Sequence, residues 1–280
     1  MRRLAIAEAL AGLALLCAMD ALIKGVAQRL PVFEIAFARY LVGSVLILCL
    51  AAYARPGRPS AEILRANGLR ALLVVTTATT FFYALARLPL AETIALSFLS
   101  PIFVALAANF LLGERIDRRV VSGIGAGFAG MLVIVAGRTG LSFEGSFSGV
   151  VAVLVSAVTY ALSMVLLRAR ARTDPVVTIV AIQNVAPCLI LLVPALVVWE
   201  PPTAADWGIL ALVGALGVLG HLLMARAYAK AKAARLASLE YTALLWASLF
   251  GFAFFGEVPT AATLAGAALI VGGAVAASRR

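Results

Sequence analysis

Apolar residues fall in runs of about twenty, separated by short polar breaks, along the whole chain. A helix crossing the hydrocarbon core of a bilayer needs about 20 such residues. Ten runs meet that need, near 4–24, 33–53, 67–86, 91–112, 119–137, 147–167, 176–198, 207–228, 234–255 and 260–277. The breaks between them are too short to hold a domain. The longest, Ala54 to Ala66, contains Pro56, Gly57 and Pro59 and reads as a surface loop. The pattern therefore predicts an all-α membrane protein of about ten transmembrane helices.

The runs repeat. Ala91 to Gly137 and Ala234 to Arg280 superpose without a gap at a shift of 143 positions. Gly113-Glu114 then falls on Gly256-Glu257, Gly123 on Gly266 and Gly130 on Gly273. Each copy is an apolar run, a Gly-Glu break and a glycine-rich apolar run. The second run of each half also opens alike, at Pro31-Val32 and Pro175-Val176, which sets Arg39 opposite Gln183. The chain divides at residues 1–140 and 141–280 into two five-helix units. Five is odd, so the second unit enters the membrane in the opposite sense and the halves form an inverted repeat.

Composition agrees with lipid as the solvent: 64% of residues are hydrophobic and 13% charged, against about 25% charged in soluble domains. The net charge of +10 does not form a phosphate-binding face, so nucleic acid is not an expected partner. Lys and Arg instead alternate between breaks. With a cytoplasmic N-terminus, the inner set is Arg2, Arg3, then Arg55 to Arg70, Arg115 to Arg119, Arg168 to Arg172, Arg226 to Arg235, and Arg279, Arg280. Only Lys24, Arg29, Arg87 and Arg138 fall outside. This predicts a multi-pass protein of a bacterial-type inner membrane with both termini cytoplasmic. The N-terminal run imitates a signal peptide, but it holds Glu8 and Asp20 and lacks a small-x-small site, so it is expected to stay as the first span. Cys17, Cys49 and Cys188 lie inside apolar runs without metal or disulfide spacing.

Two five-helix halves, each with a Gly-Glu break before a glycine-rich last helix, resemble the EamA branch of the drug/metabolite transporter superfamily. The resemblance spans essentially the whole chain. It implies a central cavity lined by the third, fourth, eighth and ninth helices, with contributions from the first and sixth. It also implies a last helix in each half used for packing or homodimer contacts. Amino-acid exporters of this family are similar, and so are its riboflavin and S-adenosylmethionine carriers.

Ionisable and polar side chains inside the spans are the candidate substrate contacts. Asp20 and Lys24 lie four apart on one helix face and can pair, with Lys24 otherwise reaching outward to the interface. Arg39 lies about two turns into the second helix, too deep to reach water through lipid. It must meet a carboxylate, with Asp20 better phased than Glu34, or bind a substrate carboxylate. Glu240 and Tyr241 in the ninth helix align with Ser97 and Phe98 in the fourth. Glu240 could hold a substrate amine, carry a proton or pair with Arg235 or Arg226. Trp246 shares a repeat position with Phe103, as two pseudo-symmetric cavity walls would. His221, the one histidine, suits either a proton switch or a backbone hydrogen bond. Tyr83 is amphipathic and suits either a substrate contact or an interfacial belt, while Tyr160 and Gln183 can orient a zwitterion or bridge helices.

Pro101 removes a backbone hydrogen bond from the fourth helix and could act as a gating hinge. Its counterpart is Leu244, so the break is expected in one half only. Glu114 and Glu257 read as caps of the helices that follow them. The glycines after them allow close helix contact.

These features predict a secondary transporter of small polar metabolites, amino acids foremost, with a small-molecule substrate, a lipid bilayer and no cofactor. With no Walker motif, the expected driving force is the substrate gradient or a coupled ion. Its carrier alternatives are riboflavin and S-adenosylmethionine. A membrane-embedded lipid enzyme is disfavoured, since Asp20, Glu34 and Glu240 are scattered over different helices.

Overall fold

The computed structural model describes residues 2–54, 59–112, 118–137, 143–170, 175–230 and 242–278. The helices are α1 (Arg2–Val26), α2 (Val32–Ala54), α3 (Ala61–Leu85), α4 (Leu90–Ser97), α5 (Ser100–Leu112) and α6 (Arg118–Ala136). The second half holds α7 (Phe143–Arg170), α8 (Val176–Val197), α9 (Ala204–Lys230), α10 (Ala243–Phe255) and α11 (Ala261–Ser278). Six of these carry stretches long and apolar enough to cross a bilayer unaided. Shorter apolar helices make up the fourth, fifth, ninth and tenth spans. The fold is the expected all-α membrane architecture. Large side chains such as Tyr53, Phe110, Leu245 and Val197 lie on its outside, where lipid rather than water covers them.

The two halves interlock, and their contacts come in symmetric sets. α1 packs on α9 and its counterpart α7 packs on α3. α2 packs on α9 as α8 packs on α3, and α10 on α1 as α5 on α7. α2 with α8, and α6 with α11, each join a helix to its own counterpart. This is the pattern of an inverted repeat around a two-fold axis in the membrane plane.

The repeated glycines sit on that axis. A Cβ on Gly130 would stand 2.5 Å from the Gly266 carbonyl oxygen, and one on Gly273 would stand 2.7 Å from that of Gly123. The shift of 143 maps the first contact onto the second. So the glycines recur because each is the floor of one symmetric close approach between α6 and α11, where lipid-facing helices gain contact only by nearness.

The fourth span is two helices. α4 stops at Ser97 and α5 starts at Ser100, with Phe98 and Leu99 between. Pro101 therefore falls in the first turn of α5 rather than in a helix interior, a place where its missing N–H costs little. The carbonyl it leaves without a donor is that of Ser97, and the Ser100 hydroxyl donates to it at 2.6 Å. A helix start recurs at the equivalent point of the other half, where residues 231–241 before it lie outside the described residues. α10 begins at Ala243, the position equivalent to Ser100. Leu245 and Trp246 donate to the Thr242 carbonyl as Ile102 and Phe103 donate to that of Leu99. A helix start at this point needs the turn, not the proline.

Between α3 and α7 runs a ladder of hydroxyls. Thr76, Thr77, Thr79 and Thr80 bond back to carbonyls one turn earlier. Thr77 also meets Thr159 at 2.8 Å, and Ser156 donates to the Thr77 carbonyl. Such bonds average about 0.6 kcal/mol in a bilayer, so the ladder orients the halves more than it stabilises them.

Candidate functional site

A polar cluster lies buried where the halves meet. α1 supplies Asp20, α2 Arg39, α3 Arg70, α7 Ser163, α8 Gln183 and α9 His221. Asp20, Arg39 and Arg70 are each more than nine-tenths buried. Charges there are costly unless offset, so their number and pairing matter.

Arg39 is held by its aliphatic and aromatic surroundings. Its Nε donates to the Met19 sulfur at 3.4 Å. Its guanidinium lies 4.4 Å from the Tyr40 ring centroid and 5.9 Å from that of Phe82. Gly217 on α9 lets it fit: a Cβ there would stand 3.3 Å from Nε and 3.5 Å from Nη2. Nη1 is buried and has no hydrogen-bond partner among the described residues. Arg39 is the charged neighbour of Asp20, yet the described residues show no ion pair between them. Asp20 thus faces Arg39 without closing on it.

Arg70 is held differently, by three neutral acceptors on three helices. Nε donates to Ser163 at 3.2 Å, Nη1 to Asn67 at 3.2 Å and Nη2 to Gln183 at 3.1 Å. No carboxylate pairs with it among the described residues. Tyr160 lies within its electrostatic reach. His221 lies within the reach of both Arg39 and Arg70, and its Nδ1 contacts the Gly217 carbonyl at 2.6 Å. That bond is the backbone alternative foreseen for His221.

The cluster brings together Asp20, Arg39, Tyr160, Gln183 and His221. Tyr83 lies elsewhere, in an apolar groove of about 530 Å³ between the start of α2, the end of α3 and the start of α7. Its hydroxyl meets Ser148 at 3.4 Å and Arg87 stacks on its ring. The Ser97 hydroxyl donates to the Ile94 carbonyl of its own helix, and Phe98 is buried in the core. Trp246 stacks on Phe250 along α10, 6.0 Å between centroids. Glu240, Tyr241 and Glu114 lie outside the described residues.

Arg70 is the residue that chain order misplaces. The hydropathy window starts the third span at residue 67 and leaves Arg70 among the loop charges. Helix α3 begins six residues earlier, at Ala61, so Arg70 is roughly 13 Å into it at 1.5 Å per residue. The local signal is Ser60 followed by Glu62: Ser60 caps the helix, accepting from the Ile63 N–H at 3.3 Å.

Polar contacts between the halves also close the end of the bundle where α1 finishes. Lys24 is buried, and its Nζ meets Glu257 Oε1 at 3.0 Å and donates to the Leu85 and Leu88 carbonyls. Lys24 therefore neither pairs with Asp20 nor extends to the interface, because a carboxylate 233 positions away reaches it first. Glu257 is likewise no cap of α11. Its Oε2 accepts the Leu90 N–H at 2.8 Å, and Thr260 bonds the Thr263 N–H at the start of α11 instead. Arg29 pairs with Asp206 at 2.7 Å, and Glu34 accepts the Glu200 N–H at 3.0 Å.

A family model for EamA-like transporters matches residues 4–136 and, a second time, 147–279. The chain belongs to the EamA-like transporter family. It is 34% identical over 277 residues to a pseudopaline exporter of Pseudomonas aeruginosa (strain UCBPP-PA14), covering 93% of this chain and 91% of that one. It is 24% identical over 261 residues to an S-adenosylmethionine uptake transporter of Rickettsia bellii, covering 91% and 86%. It is 28% identical over 266 residues to a riboflavin transporter of Brucella anthropi, covering 89% and 88%. A solved crystal structure at 23% identity superposes with a TM-score of 0.67 over 99% of this chain and 97% of its own, which shows the fold. This EamA-like protein is a multi-pass metabolite transporter. Its polar cluster draws on the second and seventh spans, through Arg39 and Gln183, beyond the six spans that the family resemblance implies for the cavity.

Proposed function

We propose that this transporter moves small polar metabolites, amino acids foremost, out of the cytoplasm by alternating access. The observation that carries the reading is Arg39: a buried guanidinium with an unpartnered Nη1, facing Asp20 without pairing to it. A zwitterion satisfies both, its carboxylate on Arg39 and its ammonium on Asp20. Gln183, Tyr160 and His221 would orient it. The contacts of Lys24, Arg29 and Glu34 support a conformer shut at one end, and with both termini cytoplasmic that end is the outer one. One half then rocks against the other around the fixed cluster, with the break before Pro101 as a hinge in the fourth span.

Proteoliposomes preloaded with single labelled amino acids test this. Efflux of a subset is expected, reduced roughly 100-fold by Arg39→Gln, since the carboxylate loses a charge-assisted bidentate bond and a buried acceptor is left unmatched. The relatives' names support a second reading, a carrier for riboflavin or S-adenosylmethionine. Efflux of no amino acid, with exchange of a nucleoside-like compound, would establish that one instead.

A further inference from the structure

We infer that Arg70 is a second anion anchor, and that the preferred substrates carry a second acidic group besides the α-carboxylate. This rests on the reading that Arg39 binds the first.

Three observations support it. The first is a charge excess. Arg39 and Arg70 are both buried, and Asp20 is the one carboxylate that the described residues bring to them. A buried cation without a counter-ion is expensive, and an anionic ligand with two acidic groups offsets the excess. The second is the way Arg70 is held. Guanidinium has five N–H donors, and Ser163, Asn67 and Gln183 take three of them. One N–H remains on each of Nη1 and Nη2 among the described contacts, enough for two bonds to a carboxylate. Its partners are all neutral, so they fix the side chain without cancelling its charge. A structural arginine in a membrane span is ordinarily paired; this one is aimed, and no carboxylate among the described residues neutralises it. The third is proximity. Both guanidinium groups act electrostatically on the same side chain, His221, so one small molecule at that histidine is within the field of both. Arg70 also reaches from the first half's α3 to the second half's α7 and α8, through Ser163 and Gln183. A group held on its guanidinium acts where both halves meet, which is where a substrate must act to bias their rocking.

The test compares matched pairs that differ only in the second charge. In proteoliposomes, labelled L-glutamate should exchange at least about tenfold better than L-glutamine, from a charge-assisted bond that the amide cannot reproduce. Arg70→Gln should abolish the preference, so that glutamate and glutamine exchange at the same rate, whatever that common rate is. Arg70→Lys, which keeps the charge, should retain part of the preference and shows that the fold tolerates change here. Equal exchange of the two amino acids by the parent protein would overturn the inference, as would a loss by the same factor for both in Arg70→Gln, which keeps the preference. If neither amino acid moves, the amino-acid reading fails, and succinate against succinamate decides the second anchor alone. Succinate should then raise the melting temperature of the parent and not of Arg70→Gln. No difference between the two compounds would overturn the anchor.

Discussion

Glu257→Gln is the perturbation that separates a strut from a gate. Lys24 Nζ is held by Glu257 Oε1 at 3.0 Å and by the carbonyls of Leu85 and Leu88. Removing one partner of a buried ion pair costs about 3–5 kcal/mol. Here the two carbonyl bonds survive and the Glu257 side chain is 23% exposed, so about 2 kcal/mol is the working figure. If the pair forms only in the conformer closed at this end, that whole amount moves the conformational equilibrium. At about 1.4 kcal/mol per tenfold, the open population rises roughly 30-fold. The reporter is Ala91→Cys, buried beside Leu90, in a background with Cys17, Cys49 and Cys188 replaced. Its labelling by a membrane-impermeant thiol reagent should accelerate by that factor in Glu257→Gln. The double substitution with Lys24→Met should recover part of the melting temperature, since no charge is then stranded, while labelling stays fast. Labelling within twofold of the parent, with a lowered melting temperature, would refute the reasoning and leave the pair as a static brace.

Two further outcomes concern the backbone. Gly130→Ala should lower detergent stability by about 1–3 kcal/mol by overpacking, because its Cβ meets the Gly266 carbonyl and Ile270. Gly125→Ala, with nothing within 4 Å, is the control, and equal melting of the two would remove the seam from the account. Gly256 has φ 65° and ends α10, so Gly256→Val should cost about 1–2 kcal/mol and Gly256→Asn less. Thermal denaturation of the pair reads that order, and the same loss from both would refute a conformational cause.

The ten spans, the inversion and the recurring glycines were legible because bilayer thickness and helix nearness impose themselves on every residue of a span. The break before Pro101 was visible as a proline but not as a shared turn, since Thr242 and Leu99 resemble each other only in backbone bonding. Arg39 announced itself by depth. Arg70 did not, because a hydropathy window stops short of Arg65 and so leaves Arg70 at the mouth of the span, although Ser60 marks the true start of α3. Lys24 pairing with Glu257 had no local trace at all. It follows from how α1, the α3–α4 corner and the α10–α11 corner converge, and no spacing rule carries that.

The glycine seam has a consequence for how such a protein can arise. Gly123 touches Gly273 by the same geometry with which Gly266 touches Gly130, so the donor surface and the receiving surface are written in one ancestral text. A copied gene segment needed no new partner surface for its product, only insertion in the opposite sense: a single glycine pattern is at once the lock and the key.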